Sequence, residues 1–274
     1  MKTYRGNFVY ANDIRIHYYR TTPPGGKQAL LLLHGLTDNG LCWARVAEAL
    51  EDTYDIVMPD ARGHGLSDRP AGGYSLKDRA ADVAGLIDAL GLNQPLLVGH
   101  SLGGETALAS AALYPNKVRA LILEDPALFP DTDNPASWKA TAQRWLDQLV
   151  EQQSLSRAAL IAGCLQQNPA WSAGEAEAWA VAKRQMDPDA LVSILTSMGG
   201  KWQDLLRAVA CPVLLVTGHP EKAIINPGMV AEAAGLWQQG QEANIPNAGH
   251  SIHRDQFKAF LAKVKPFLDQ HARA

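Results

Sequence analysis

The sequence predicts an α/β fold built on a mostly parallel sheet, and the first evidence is a series of short apolar runs without polar alternation. Strands have this composition when both of their faces are covered, as in a parallel sheet. Helical patterns separate most of the runs, an order typical of a doubly wound sheet. The runs are residues 30–33, 56–58, 96–98, 121–123 and 213–216.

Length and composition limit the possible classes of protein. A chain of 274 residues, 47% of them hydrophobic, can form one large α/β domain or one domain with an insertion. The net charge of −3 gives no electrostatic reason to expect nucleic acid or a membrane as a partner. The three cysteines are far apart and lack metal-ligand spacing, so we expect buried thiols and no metal or cofactor.

The N-terminal residues predict a cytoplasmic protein. Residues 1–7 contain no apolar segment of the kind found in signal peptides, and no apolar run in the sequence is long enough to cross a bilayer. We expect a monomer or a homodimer.

The N-terminal part of the chain carries clear local signals. Two runs rich in β-forming residues, 8–10 and 14–19, flank Asn12 and Asp13, which predicts a hairpin. Residues 75–90 have apolar positions at helical spacing. Ser75 and Asp78 resemble a capping box at the start of this helix, and Gly91 is a stop signal at its end.

The alternation of strands and helices breaks between Phe129 and about Leu206, where the chain is helix-like. A crossing between neighbouring strands needs far fewer residues, so we expect an inserted helical cap at 128–206. The core domain would then comprise residues 1–127 and 207–274. The alternative is that these helices belong to the main layer and that their tryptophans are core residues. The tryptophans are Trp138, Trp145, Trp171, Trp179 and Trp202.

A G-x-S-x-G motif at residues 99–103 predicts a nucleophile. It follows an apolar run and precedes an alanine-rich helical segment, which is the context of a nucleophile elbow. The glycines let strand and helix approach closely, and the turn places the Ser101 hydroxyl at a helix N-terminus. We therefore expect Ser101 to be the catalytic nucleophile rather than part of a chance turn.

His250 is the best candidate for the general base among eight histidines. It stands in a glycine-containing loop after the last strand-like segment, which places it at the same sheet edge as Ser101. We expect three histidines in turns to shape loops, and four others are less favoured as bases. The first group is His34, His64 and His100, and the second is His17, His219, His253 and His271.

Two backbone N–H groups are the candidate donors for an oxyanion. Gly35 follows the first buried strand and permits a tight turn, which could aim the Leu36 N–H at the substrate. The N–H of Leu102, directly after Ser101, would be the second donor.

Across nearly its full length the chain resembles α/β-hydrolase-fold proteins with a helical cap. The resemblance implies an eight-stranded, mostly parallel sheet, with Ser101 as nucleophile and His250 as base and then acid. It also implies that residues 60–68 shape a loop. The matching stretches are residues 34–35, 60–68, 99–104 and 248–250.

The acid of the predicted triad has two candidates. Members of this family often carry Asp at the register occupied here by Glu221. In a second arrangement the acid ends the strand after the nucleophile's strand, where Asp125 stands and shares a face with Leu121 and Leu123. We favour Asp125 and keep Glu221 as the alternative.

Together these residues predict a cofactor-independent serine hydrolase that cleaves a carboxylic ester or lactone through an acyl-enzyme. The many tryptophans of the cap favour an apolar or aromatic small-molecule substrate. Because a fold does not determine its reaction, two alternatives stay open. One is a C–C bond hydrolase of ring-cleavage products, and the other is a receptor or signalling protein that keeps the triad but binds a small molecule.

Overall fold

A computed structural model describes residues 2–21, 26–129 and 135–272. A sheet of eight strands forms its centre. The strands are β1 (Gly6–Ala11), β2 (Ile14–Arg20), β3 (Gln28–Leu33), β4 (Tyr54–Pro59), β5 (Leu96–His100), β6 (Ala120–Glu124), β7 (Val213–Thr217) and β8 (Gly240–Asn244).

Helices connect most of these strands. They are α1 (Ala44–Leu50), α2 (Leu76–Ala89), α3 (Leu102–Leu113), α4 (Pro135–Ser154), α5 (Arg157–Gln167), α6 (Ala173–Gln185), α7 (Pro188–Thr196), α8 (Trp202–Ala208), α9 (Pro227–Ala234), α10 (Ile252–Asp255) and α11 (Phe257–His271). Short 3-10 helices lie at Gly40–Trp43 and Pro115–Lys117. Within the described ranges, no helix combines the length and the apolar character needed to cross a membrane.

The strand order is β1-β2-β4-β3-β5-β6-β7-β8. Strands β3 to β8 pair in parallel, whereas β1 with β2 and β2 with β4 pair antiparallel. Strands β4, β5 and β6 are buried along their whole length. The structure therefore confirms the predicted mostly parallel sheet and the reason for it, since uninterrupted apolar runs form its covered strands.

The side chains of each central strand alternate between two apolar cores. Leu30 and Leu32 pack on the face covered by Trp43 and Phe260, which come from the segments around α1 and α11. Leu31 and its odd-numbered counterparts on β5 and β6 pack against α2, α3 and α8. A sheet covered on both faces brings the carboxyl ends of β3, β5 and β6 to one open edge.

The local signals in the N-terminal part of the chain are confirmed. Asn12 and Asp13 both adopt positive φ, 49° and 63°, as a tight turn between β1 and β2 requires. Ser75 and Asp78 form a reciprocal capping box at the start of α2. Gly91, with φ 61°, follows the C-cap of this helix.

The helices between β6 and β7 divide into two groups. Helices α4 to α7 pack on one another, and an apolar cluster joins α4 and α7 to Leu102 and Ala127 at the ends of β5 and β6. Helix α8 instead packs on α3, and Trp202 and Leu206 belong to the apolar core between the sheet and helices α2 and α3. Trp202 is therefore a core residue, and the inserted cap at 128–206 stays a prediction.

Gly103 in α3 lies against the backbone at the end of β3, and this close contact can be tested. A Cβ at this position would lie 2.2 Å from the carbonyl oxygen of Leu33, a backbone atom that cannot rotate away. We expect Gly103→Ala to lower the free energy of unfolding by about 1–3 kcal/mol or more in urea titrations. Gly163→Ala in α5, where a Cβ meets no atom within 4 Å, should raise it by about 0.5–1 kcal/mol. Equal effects of the two substitutions would contradict the packing described.

Candidate active site

Ser101 lies at the sharp turn between β5 and α3. Its backbone is strained, with φ 52° and ψ −117°, a conformation that costs a non-glycine residue roughly 1–3 kcal/mol. Two hydrogen bonds hold it. The Ser101 N–H donates to the Glu124 carbonyl and the Ala127 N–H donates to the Ser101 carbonyl, both at 3.0 Å. The turn is thus fastened to the segment that follows β6.

The segment after β3 approaches Ser101 closely. A Cβ on Gly35 would lie 3.4 Å from the Ser101 Cβ and 2.9 Å from the His100 Nδ1, so only glycine fits here without displacement. The next residue, Leu36, lines the same cavity as Ser101. Leu102 is the first residue of α3, where backbone N–H groups have no partner within the helix. Of the two predicted oxyanion donors, Leu36 therefore lines the same cavity as Ser101, and Leu102 follows Ser101 in the chain.

His250 and Asp125 are in direct contact. His250 lies in the loop between β8 and α10 and lines the same cavity as Ser101. Its Nδ1 is 2.5 Å from Asp125 Oδ2. A carboxylate at Nδ1 favours the tautomer with the proton on that nitrogen, which leaves Nε2 free to accept a proton.

Three donors orient the buried carboxyl group of Asp125. In addition to His250, the backbone N–H groups of Ile224 and Ile225 each donate to one of its oxygens at 2.9 Å. The side chain of the alternative acid, Glu221, is exposed, and its own N–H donates to His219 Nδ1 at 3.3 Å. Of the two candidate acids, Asp125 is the one in contact with His250.

The histidines of the turns hold loops together. His34 Nε2 accepts a hydrogen bond from the Ala61 N–H at 3.0 Å, and His64 Nε2 accepts one from the Thr37 N–H at 3.3 Å. Burial lowers the pKa of His64 to about 3, so this ring is a neutral acceptor at physiological pH. These contacts tie the segment after β3 to the 60–68 loop.

A second buried pair, not anticipated from the sequence, is formed by Glu124 and His253. Glu124 accepts hydrogen bonds from the N–H of His253 at 2.8 Å and from its ring Nδ1 at 2.8 Å. Burial raises the pKa of Glu124 to about 7 and lowers that of His253 to about 3. His253 also stacks on Trp43 with 4.2 Å between ring centroids. Strand alternation, which directs Glu124 away from Asp125, was the available sequence signal for this pair.

Ser101 and His250 line a cavity of about 220 Å³, called here the Ser101 cavity. Its roof includes Trp145, Trp171 and Trp179 from the segment that contains α4 to α6. The wall is more polar than the expected apolar or aromatic substrate would require. Besides His100, Ser101 and His250, the polar side chains on it are Thr37, Asp38, Gln148, Gln152, Lys183, Ser251 and Arg254. In the parts of the chain that the structure describes, no group of three His, Cys, Asp or Glu residues could hold a metal ion.

Comparisons with known proteins identify the family of this chain. The model of the α/β hydrolase fold family matches residues 28–256. A 2-(acetamidomethylene)succinate hydrolase of Mesorhizobium japonicum is 29% identical, with 89% of each chain covered. An N-formylmaleamate deformylase of Pseudomonas putida is 32% identical, with 96% of each chain covered.

A solved structure also has the same fold. The crystal structure of an E-2-(acetamidomethylene)succinate hydrolase superposes with a TM-score of 0.81 at 25% sequence identity. The match covers 97% of this chain and 100% of the other.

The contact between Asp125 and His250 generates a prediction. Asp125→Asn keeps the shape of the side chain but removes the charge that would stabilise a protonated His250. We expect kcat for 4-nitrophenyl acetate hydrolysis to fall on the order of 10²- to 10⁴-fold, with KM little changed. Glu221→Gln is the matched control and should retain nearly full activity. A severe loss in the control with a mild one at Asp125 would transfer the role to Glu221.

Proposed function

The chain belongs to the α/β hydrolase fold family, and from this premise we propose that it is a serine hydrolase with the triad Ser101, His250 and Asp125. The observation that supports this best is the 2.5 Å contact between His250 and Asp125 beside a strained Ser101 on the same cavity wall. A positioned nucleophile, base and orienting acid are the parts that acyl transfer requires.

In the first half of the proposed reaction, Ser101 is acylated. Its Oγ attacks the substrate's carbonyl carbon while its proton passes to His250 Nε2. The Asp125 carboxylate stabilises the resulting imidazolium, and the N–H groups of Leu36 and Leu102 donate to the oxyanion. The bond to the leaving group then breaks, and that group takes the proton from His250.

The second half releases the acyl group. A water molecule gives a proton to His250 and attacks the carbonyl carbon of the acyl-enzyme. The bond to Ser101 Oγ breaks, the proton returns to that oxygen, and a carboxylic acid leaves. No redox partner or external cofactor is needed for these steps to balance.

The bond that is cleaved is proposed to be an ester or an amide. The names of the two relatives describe an acetamidomethylene and an N-formyl compound, which are not simple esters. We therefore extend the predicted ester and lactone substrates to acyl groups carried on nitrogen. C–C bond hydrolysis stays the second candidate, because the relatives' names do not favour simple esters and the same nucleophile and base would serve it.

Ser101 and His250 should act as one unit. We expect Ser101→Ala and His250→Ala each to lower kcat by several orders of magnitude, and the double variant to be little worse than either. His219→Ala, which alters a ring outside the Ser101 cavity, is the control. Steady-state kinetics with 4-nitrophenyl acetate compare these four variants with the wild-type protein. Multiplying effects of the two changes would contradict a shared proton transfer, and a single slow covalent turnover would favour the receptor alternative.

Helices α4 to α7 are proposed to act as the cap that selects the substrate. Trp145, which is 41% exposed, lines the Ser101 cavity from α4. Trp138 on the same helix instead packs against Phe129, with 5.2 Å between ring centroids. The two tryptophans therefore allow a matched comparison within one helix.

Trp145→Ala should change the choice of substrate more than stability. We expect kcat/KM for bulky esters relative to acetate to change by about 10-fold or more, since one apolar contact is worth about 1–3 kcal/mol. Trp138→Ala should mainly lower the thermal unfolding midpoint. An unchanged ester ranking in the Trp145 variant would contradict the proposed role of the cap.

A further inference from the structure

The wall of the Ser101 cavity contains more basic than acidic side chains. Among the described residues that line it, these are Lys183, Arg254 and Asp38, apart from its histidines. Arg254 Nη2 donates to Asp38 Oδ2 at 2.9 Å, so the one carboxylate already has a bonded cation. Lys183 is the second basic side chain in the same wall.

Lys183 is held by neutral groups. Its residue is 7% exposed, and it reaches from α6 to the segment after β3. There Nζ donates to the carbonyl oxygen of Thr37 at 3.2 Å and to the Thr37 hydroxyl. Nζ also lies 4.9 Å from the centroid of the Trp179 ring, which is a cation–π contact. An ammonium has three donors, and the two hydrogen bonds to Thr37 leave one N–H for a further acceptor. The ion pairs found in the described part of the chain do not include Lys183.

Asp38 is the one carboxylate among the described residues of the cavity wall, and it interacts with both Arg254 and Lys183. Burial alone would raise the pKa of Asp38, but Arg254 and Lys183 together lower it well below its usual range. Burial lowers the pKa of Lys183, and the attraction of Asp38 opposes this only in part. A buried cation without a bonded counterion is costly, and an anion placed beside it removes that cost.

Neighbouring carboxylates have other partners. Asp255 accepts hydrogen bonds from Trp171 Nε1 and from the Gly249 N–H, both at 2.7 Å. Glu175, which is also buried, pairs with Arg45 at 3.0 Å and closes the capping box of α6. Neither carboxylate is in contact with Lys183.

We propose that Lys183 forms a carboxylate-binding subsite beside Ser101, so that the substrate is a small acyl compound with a free carboxylate. The placement of that carboxylate relative to the scissile bond rests on the proposed function of Ser101, whereas the binding of a carboxylate does not. The cavity volume of about 220 Å³ is sufficient for a small acyl compound that carries a carboxylate. Gln148 and Gln152 on the same wall supply neutral donors for the remaining oxygens.

Isothermal titration calorimetry with succinate and succinamide tests this subsite. The two probes have the same carbon chain, but only succinate is anionic at neutral pH. We expect succinate to bind at least about tenfold more tightly, because a hydrogen bond to a charged group contributes about 1.5–3 kcal/mol. Equal affinity for the two probes would overturn the proposal, and this comparison needs no variant.

Variants locate the effect at Lys183. We expect Lys183→Met to weaken succinate binding about 10- to 100-fold and Lys183→Arg to preserve most of it. Lys139→Met removes an exposed lysine from the neighbouring α4 and is the control for loss of charge. Unchanged succinate affinity in a folded Lys183→Met protein would overturn the assignment. Thermal unfolding monitored by circular dichroism establishes that each variant is folded.

The two proposals fail separately in these experiments. Ester hydrolysis that depends on Ser101, without a preference for succinate over succinamide, would reject the subsite alone. Lys183-dependent succinate binding in a protein without Ser101-dependent hydrolysis would reject the proposed function alone.

Discussion

A strained backbone at Ser101, held by hydrogen bonds to the segment after β6, positions the candidate site. The Ser101 N–H and carbonyl bond to Glu124 and Ala127, and Asp125 lies between these two residues. The contacts that stabilise the strained turn therefore also place the carboxylate that meets His250. A shift of either segment would move both the proposed nucleophile and the proposed acid.

Adjacent carboxylates extend this constraint to the His250 loop. Asp125 contacts the ring of His250, and Glu124 accepts two hydrogen bonds from His253 at the start of α10. The ring of His100, the residue before Ser101, lies 3.0 Å from the carbonyl oxygen of His250. The C-terminal end of the loop is thus held by the ends of β5 and β6, and its other end bonds to β7 through the Ile245 N–H and the Thr217 carbonyl.

Local patterns predicted the parts of the fold that depend on local chemistry. The hairpin at Asn12 and Asp13, the capping box at Ser75 and the turn at Ser101 each require particular residue types within a few positions, so the sequence contained their signals. Local patterns could not decide between Asp125 and Glu221 as the acid. The decision depends on which carboxylate the fold brings to His250 and to the N–H groups of residues 224–225. The contact of Lys183 with Thr37 joins residues 146 positions apart, for which no periodicity exists. Such contacts follow from tertiary packing alone.

Covalent labelling shows whether Ser101 is an activated nucleophile. The protein is treated with a fluorophosphonate, and the adduct is located by mass spectrometry of proteolytic peptides. We expect one stoichiometric adduct on Ser101, formed much more slowly in Asp125→Asn and absent in Ser101→Ala. An adduct on another residue, or labelling that persists in Ser101→Ala, would rule out Ser101 as the nucleophile.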